Sequence, residues 1–449
     1  MNWREKYKDK IVSADEAVKV IRSGDKVIVN LGGEPRHCLE ALARRAGEIR
    51  NVKLACSWLY DYPWFHSGLE ESFDARATFT TRVTRQALRE RRTDWIPWLP
   101  GLGARDRCLE QGRGCVQEHA DAAFVTITPP NEEGCCSFGN QMWLGPHAVR
   151  SARSVVAEVN DRLPFTFGDN VHISQIDYLV EAPADSSSTS TPGTEWTSAN
   201  VDEWEKGQVI AAAAADMIRD GDTLQIGIGA HSESVMSYLG TKNDLGIDTE
   251  IIYPPIIELI KQGVVTGNRK NVNTKKVIAS AAWILHGHPQ ERETVEFLDH
   301  NPMIEFHSFP DICNVPRIAS NDNMVAINSI LGIDLLGQMT VDFLDTFPIG
   351  GQGGQLEYCI GSHYSRGGRS IACLLSCAKG ATVSRIVPQF KEGTGIGVPM
   401  GYVDYVVTEY GVVNLEYKSR RERAEAIISV AHPDFRGELM KAARRLFWP

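Results

Sequence analysis

The chain of 449 residues has no run of about 18 apolar residues, so nothing in it reads as a membrane-spanning helix. Its opening segment, MNWREKYKDK, carries both signs of charge and no apolar core, so no secretory signal is expected and a cytoplasmic location follows as the expectation. Lys and Arg nowhere cluster into a long basic run, and 47 of them stand against 57 Asp and Glu, a formal net charge of -10. Sequence-independent binding to nucleic acid needs such clustering, which removes nucleic acid as a partner. Ten cysteines are present, yet none forms a CxxC pair and no Cys/His set has zinc spacing. They read as buried, reduced thiols, and no metal site is expected.

What remains is ordinary globular composition, 43% apolar and 23% charged, in a chain long enough for two or three domains. One segment stands apart: Ala182 to Thr194, APADSSSTSTPGT, has linker or long-loop composition. It separates an N-terminal domain, residues 1–190, from a C-terminal one, residues 197–449. The two parts begin alike. VIRSGDKVIVNLGG at 20–33 aligns with MIRDGDTLQIGIGA at 217–230 at a constant offset of 197, matching Ile21 to Ile218, Gly24 to Gly221, Asp25 to Asp222 and Gly32 to Gly229. Each copy reads as helix, Gly-Asp turn, buried strand, Gly-rich turn and helix, so two similar α/β halves are expected. Val- and Ile-rich runs recur between helical stretches: VKLACSWL, AAFVTITPP, SVVAEVN, MVAINSIL, SIACLLSC and YVVTEYGV. They favour parallel or mixed sheets covered by helices, with sites at the carboxyl ends of strands.

Two glycine-dense loops carry chemical interest. Gln225-Ile226-Gly227-Ile228-Gly229 follows the strand of the second copy, where glycines permit close backbone approach to an anion. Its dinucleotide fingerprint is imperfect, with Ser232 in the third position, so a nicotinamide-dependent oxidoreductase is a poor reading and a packing turn remains open. Gly350-Gly351-Gln352-Gly353-Gly354-Gln355 suggests backbone amides presented to a developing oxyanion, and the cationic turn Ser365-Arg366-Gly367-Gly368-Arg369-Ser370 follows it. Between the loops, Glu250 sits in the apolar run LGIDTEII, either as an edge residue or as a sheltered nucleophile.

These segments, in this order, resemble the acetyl-CoA hydrolase/transferase family, closest to its 4-hydroxybutyrate and butyrate CoA-transferase branch. The likeness also runs through TPPNEEG at 128–134, VAEVN at 156–160, AINSILGIDLLGQ at 326–338, AKGATVSRIVP at 378–388, VVTEYGVVNL at 406–415 and ISVAHPDFR at 428–436. The resemblance implies two open α/β domains with the active site between them, in a homodimer. It implies CoA exchange between short-chain carboxylic acids of the 4-hydroxybutyrate, butyrate or acetate type, through a glutamyl-CoA thioester on Glu250. CoA and acyl-CoA are then substrates, and no permanently bound cofactor is implied. Asn328 and Gly351 are implied as catalytic partners of Glu250. Gln225, Ile226, Gly227, Ile228, Gly229, Gly350 and Lys379 are implied in holding CoA.

The chain departs from the family pattern at several places. Asp248 stands where relatives carry a His, Ile251 and Tyr253-Pro254-Pro255 replace a Met and a Ser-Asp-Gly turn, and His363-Tyr364 replaces small apolar residues. The segment Leu163 to Gly168 lacks an Arg and a His. The departures are expected around the acyl pocket, and Asp248 is expected to raise a carboxyl pKa by its nearness to Glu250. An acyl-CoA hydrolase, or transfer to a dicarboxylate such as succinate or itaconate, is the competing reading. A CoA-sensing protein without turnover would need the glycine loops but not Glu250.

Overall fold

The computed structural model describes residues 2–98, 120–184, 186, 201–284 and 289–448. The chain forms two compact units. The first comprises Met1–Thr194 together with Ile278–Ile312, and the second comprises Glu195–Val277 and Cys313–Pro449. Most of the Ser/Thr/Pro-rich stretch lies outside the described residues.

The first unit is built on a seven-stranded sheet of β1 (Lys26–Val29), β2 (Val52–Cys56), β3 (Phe73–Ala77), β4 (Asp94–Trp95), β5 (Ala120–Ile127), β6 (Ala152–Val159) and β7 (Tyr178–Glu181). Its order is β7-β6-β5-β1-β2-β3-β4, and every pair is parallel. The Val- and Ile-rich runs supply these strands because a parallel sheet is covered on both faces and has few positions for polar residues. Helix α1 (Arg36–Arg44) buries Cys38, Leu39, Ala41, Leu42 and Ala43 against it. Residues 278–312 join this unit through backbone pairing: Glu305 and Phe306 run parallel to Phe167 and Gly168. Gly168 has φ +122, and a Cβ there would lie 1.7 Å from the Phe306 carbonyl oxygen, so only glycine permits the approach.

The second unit repeats the scheme with β8 (Thr223–Ile226), β9 (Gly246–Ile247), β10 (Met324–Ser329), β11 (Arg369–Cys373), β12 (Tyr405–Thr408) and an antiparallel edge strand, β13 (Gly411–Asn414). The order is β9-β8-β10-β11-β12-β13. The sequence repeat is thus a structural one. β1 and β8 occupy matching positions, each preceded by a glycine in the left-handed region, Gly24 at φ +85 and Gly221 at φ +83. In both copies the aspartate that follows closes the turn, Asp25 accepting from the Arg22 amide at 2.8 Å and Asp222 from the Arg219 amide at 2.7 Å. The α/β expectation is met in both halves, and all eight cysteines among the described residues are free, seven of them buried.

The two copies differ in what else the aspartate holds. Asp222 is buried against Arg369, with 2.5 Å between Oδ2 and Nη2, whereas Asp25 has only a half-exposed Arg153 at 3.8 Å. Removing one partner of a buried ion pair leaves an uncompensated charge, while losing a turn cap removes one hydrogen bond. Asp222→Ala should therefore lower unfolding free energy by about 3–5 kcal/mol, and Asp25→Ala by about 1 kcal/mol, in urea titrations. Equal losses at the two positions would contradict this assignment.

Candidate active site

In the second unit the strands of the parallel sheet all point their carboxyl ends one way, and the chemistry-bearing loops collect there. Gly227 to Gly229 leaves β8, Asn328 lies at the end of β10, and the segment Asp248-Thr249-Glu250 leaves β9. A Cβ on Gly227 would lie 2.0 Å from Asn328 Oδ1, and one on Gly229 2.5 Å from Ser329 Oγ, so both glycines are required by the close passage of β8 past β10. The loop turns tightly into the short helix α2 (Ala230–Ser234), with Gly229 N–H donating to Glu233 Oε1 at 2.9 Å and Ser232 Oγ donating to the Gly227 carbonyl at 2.8 Å. Gln225 and Asn328 face each other as a reciprocal amide pair, at 3.0 and 2.9 Å, both buried. Ile226 ends the strand in the core, and Ile228 occupies the turn.

Glu250 is held largely away from water. The run Leu245 to Ile252 does not form one strand: it breaks into β9 and the two-residue strand Ile251–Ile252, and Glu250 occupies the break with 9% of its surface exposed. Its Oε1 accepts a hydrogen bond from the Gly354 amide at 2.9 Å. Gly354 is the N-cap of α4 (Gln355–Tyr364), which follows the short helix α3 (Val315–Ala319), so the carboxyl group meets the positive end of a ten-residue helix. The glycine loop reaches Glu250 through Gly354, with Gly353 alongside, while Gly350 and Gly351 lie earlier in the loop and are partly exposed. Gly354 has no room for a side chain, since a Cβ would lie 2.4 Å from Cys313 Sγ and 2.7 Å from Glu250 Oε1. Lys379 sits exposed at the tip of the hairpin Cys377–Ala378/Val383–Ser384, beyond the carboxyl end of β11.

Burial dominates the electrostatics here. Desolvation lifts the Glu250 pKa to about 8; the Gly354 N–H works against the shift and the charge of Glu357 adds to it. Glu357, at the third position of α4, is itself 1% exposed. Sequence reasoning missed it, although a glutamate three residues past the last glycine of GGQGG is a recognisable first-turn position. Burial pushes the Tyr253 phenol well above the usual range, and the charges of Glu233 and Glu250 add to the shift.

Two expectations are corrected. Asp248 is not the carboxylate that perturbs Glu250: it is fully buried against Arg317 and Lys270, while the carboxylate felt by Glu250 is that of Glu357. His363 and Tyr364 are not beside the site. They end α4, whose first residue follows the Gly354 contact, and at about 1.5 Å per residue that places them about 13 Å along the helix. His363 pairs with Asp404 at 3.5 Å and Tyr364 is 65% exposed. Arg366 and Arg369 likewise mark the amino end of the sheet, where they pair with Asp322 and Asp222. The segment Leu163 to Gly168 lies in the first unit, where Thr166 Oγ1 donates to the Gly139 carbonyl and Phe165 stacks on His300.

The acetyl-CoA hydrolase/transferase N-terminal domain matches residues 1–187, and the C-terminal domain of the same family matches residues 291–443. The chain belongs to the acetyl-CoA hydrolase/transferase family. Among curated relatives, the 4-hydroxybutyrate coenzyme A transferase of Clostridium kluyveri is 34% identical, with all of both chains covered. The butyryl-CoA:acetate CoA-transferase of Anaerostipes caccae is 30% identical over 99% of this chain and 98% of its own. Among solved structures, RipA from Yersinia pestis superposes with a TM-score of 0.84 at 30% identity over the full length of both chains. Among the described residues no helix is long and apolar enough to cross a membrane.

A carboxyl group that is neutral in the folded protein and ionised in the unfolded one makes stability pH-dependent. With its folded pKa raised from 4.5 to about 8, Glu250 contributes stability that is complete below pH 4.5 and lost as pH rises through 8. Glu250→Gln removes that titration. The variant should therefore gain thermal stability relative to the parent as pH increases from 5 to 8.5, measured by calorimetry. A pH-independent difference in Tm would show that Glu250 is solvated.

Proposed function

We propose that this CoA-transferase exchanges CoA between short-chain carboxylic acids of the 4-hydroxybutyrate, butyrate or acetate type through a covalent glutamyl-CoA thioester on Glu250. The observation that carries the reading is the Glu250 carboxyl, buried in a break between strands and accepting an aligned backbone hydrogen bond from Gly354, at the end of the glycine loop that leads into α4. The names of the relatives, which transfer CoA to and from 4-hydroxybutyrate, butyrate and acetate, support the substrate class.

The Glu250 carboxylate attacks the thioester carbonyl of the donor acyl-CoA. The C–S bond breaks, leaving a mixed anhydride and CoA thiolate. The thiolate attacks the glutamyl carbonyl, which forms the glutamyl-CoA thioester and expels the first acid as its carboxylate. The incoming carboxylate attacks the glutamyl-CoA carbonyl and displaces the thiolate as a second anhydride forms. The thiolate then takes the acyl group and restores Glu250. No proton needs to enter or leave in these steps, so the one acid–base event required is the ionisation of Glu250 itself. Each attack places negative charge on an oxygen, and the Gly354 amide, already oriented toward Oε1, is the donor placed to receive it when the glutamyl carbonyl is attacked. Gly227 to Gly229, Gly350, Gly351 and Lys379 remain the proposed CoA contacts, with Asn328 held in place by Gln225. CoA is consumed and regenerated, so it serves as a substrate. A cytoplasmic location and a homodimer complete the proposal.

Transfer to or from a dicarboxylate is the second reading, and the name of the 32% identical succinyl-CoA:cyclohexane-1-carboxylate CoA transferase of Geobacter metallireducens supports it, although the residues first associated with it do not. The polar residues that suggested a second carboxylate in the substrate, His363 and Tyr364, lie at the far end of α4, and Asp248 is already neutralised by its own cations.

Glu250→Ala should reduce transfer by at least about a thousandfold, the order seen when a covalent nucleophile is removed. Borohydride treatment of parent protein incubated with acyl-CoA should yield a modified Glu250 in peptide mass spectra, and kcat/KM should rise with pH toward the Glu250 pKa of about 8. CoA release that ignores added acceptor acid would instead indicate hydrolysis, and an adduct at another residue would overturn the assignment.

A further inference from the structure

Two residues before Glu250, Asp248 makes a buried network of its own. Its carboxylate accepts two parallel hydrogen bonds from Arg317, Nη1 to Oδ1 and Nη2 to Oδ2, each 2.9 Å, the bidentate arrangement that fixes direction as well as distance. Asn321 Nδ2 approaches Oδ2 at 3.4 Å and Lys270 Nζ stands 3.6 Å from the same atom, with both Asp248 and Lys270 fully buried. Lys270 also donates to the Ile247 carbonyl at 2.9 Å. A Cβ on Gly246 would lie 2.6 Å from Lys270 Cγ, so glycine at that position makes room for the lysine. One residue beyond Asp248, the Thr249 hydroxyl accepts from the Ile226 amide at 3.1 Å and donates to the Ile226 carbonyl at 3.2 Å, adding a side-chain rung to the end of β8. The backbone leading to Glu250 is thereby held at three successive residues.

The other end of the Asp248 pair leads back to the same carboxyl group. Arg317 belongs to the short helix Val315–Ala319, and that segment packs along α4 through two glycines seven residues apart, hence on one face. Gly354 lies against Cys313 Sγ, and Gly361 against Ile318, whose Cγ2 would be 2.4 Å from a Cβ. α4 in turn presents the Gly354 amide to Glu250. A closed circuit results: Glu250 to Gly354, along α4 to the 313–319 segment, through Arg317 to Asp248, and back along two residues of chain.

We infer that the Asp248–Arg317 pair positions the nucleophile, fixing the separation between the Glu250 turn and the Gly354 helix end. The inference rests on the reading of Glu250 as the covalent nucleophile. Neither residue touches the reacting atoms. Their effect is on geometry, where a misplacement of about 1 Å costs on the order of a hundredfold in rate. Charge alone does not meet the requirement, because Lys in place of Arg317 supplies a cation but not two parallel donors.

The test uses Arg317→Met and Arg317→Lys in the full chain, with Glu250→Gln in parallel. Arg317→Met leaves Asp248 paired with Lys270 and Asn321, so its charge stays compensated; Arg317→Lys is the milder variant should Met prevent folding. The expected result is a loss of kcat of about 30- to 100-fold for Met and at least about tenfold for Lys, with KM for acyl-CoA within about threefold of the parent. Borohydride trapping should still reach full stoichiometry on Glu250 in both, only more slowly. The inference is overturned if Arg317→Lys turns over as the parent does, if KM rather than kcat carries the loss, or if the loss merely matches a reduced fraction of protein able to form the adduct. Should Glu250→Gln itself retain activity, the nucleophile reading fails first, and the Arg317 results then speak only to stability.

Discussion

A carboxyl group stripped of nearly all its water is unstable as an anion, and this second unit is arranged around supporting one such group without solvating it. Among the described residues the support is a backbone amide at a helix end. An ionised carboxylate in bulk water accepts several hydrogen bonds, and Glu250 has exchanged them for the Gly354 donor and the field of α4. The nearby Glu357 opposes ionisation, and burial opposes it more. The balance leaves a group that is neutral at rest near pH 7, yet needs little to ionise. That suits a nucleophile whose product, an anhydride or thioester, is uncharged: the desolvated site disfavours the anion before attack more than the neutral ester after it. The glycines follow from the same requirement. Gly227, Gly229, Gly246 and Gly354 each stand where a methyl group would collide with a neighbouring side chain.

The duplicated architecture explains why one half carries this arrangement visibly in its sequence. Both copies share the Gly-Asp turn and the following strand, because that unit starts a parallel strand regardless of what lies at its far end. They diverge at that far end, where the first copy continues into the nine-residue helix α1 and the second into a tight five-residue one. Motifs of the first half that support the family resemblance turn out to perform structural tasks. Glu158, within VAEVN, accepts from the Cys38 amide at the start of α1, and Asn131, within TPPNEEG, accepts from the amides of Glu133 and Cys135 to close its turn.

Much of the fold was legible because parallel strands announce themselves as short Val- and Ile-rich runs, and every such run named from the sequence contains a strand. Glu250 was legible for a different reason: an acid inside an apolar run, between two glycine-dense loops, is a costly choice that implies use. The neighbourhood of that acid was not. Sequence proximity made Asp248 the natural electrostatic partner, but the chain turns between the two, and the true neighbour is Glu357, over a hundred residues further on and delivered by a helix end. Arg317 and Lys270, which neutralise Asp248, carry no local pattern, since a lone cation in a polar segment is the commonest surface residue. His363 and Tyr364 misled because a helix carries ten residues from one end of a sheet to the other, so closeness in sequence to the glycine loop became distance in space.

The first unit is discontinuous: its sheet is finished by residue 181, but strand Ile304–Phe306, which pairs with Phe167–Gly168, is supplied only after a long excursion through the other unit. During synthesis the ribosome must add more than a hundred residues between these two parts. At roughly 5–20 residues per second the nascent first unit waits on the order of ten seconds with that edge uncovered. The Phe167–Gly168 segment must therefore wait without its strand partner while the beginning of the second unit emerges, which makes the order of translation, and any chaperone that shields an exposed strand, part of how this protein reaches its native state.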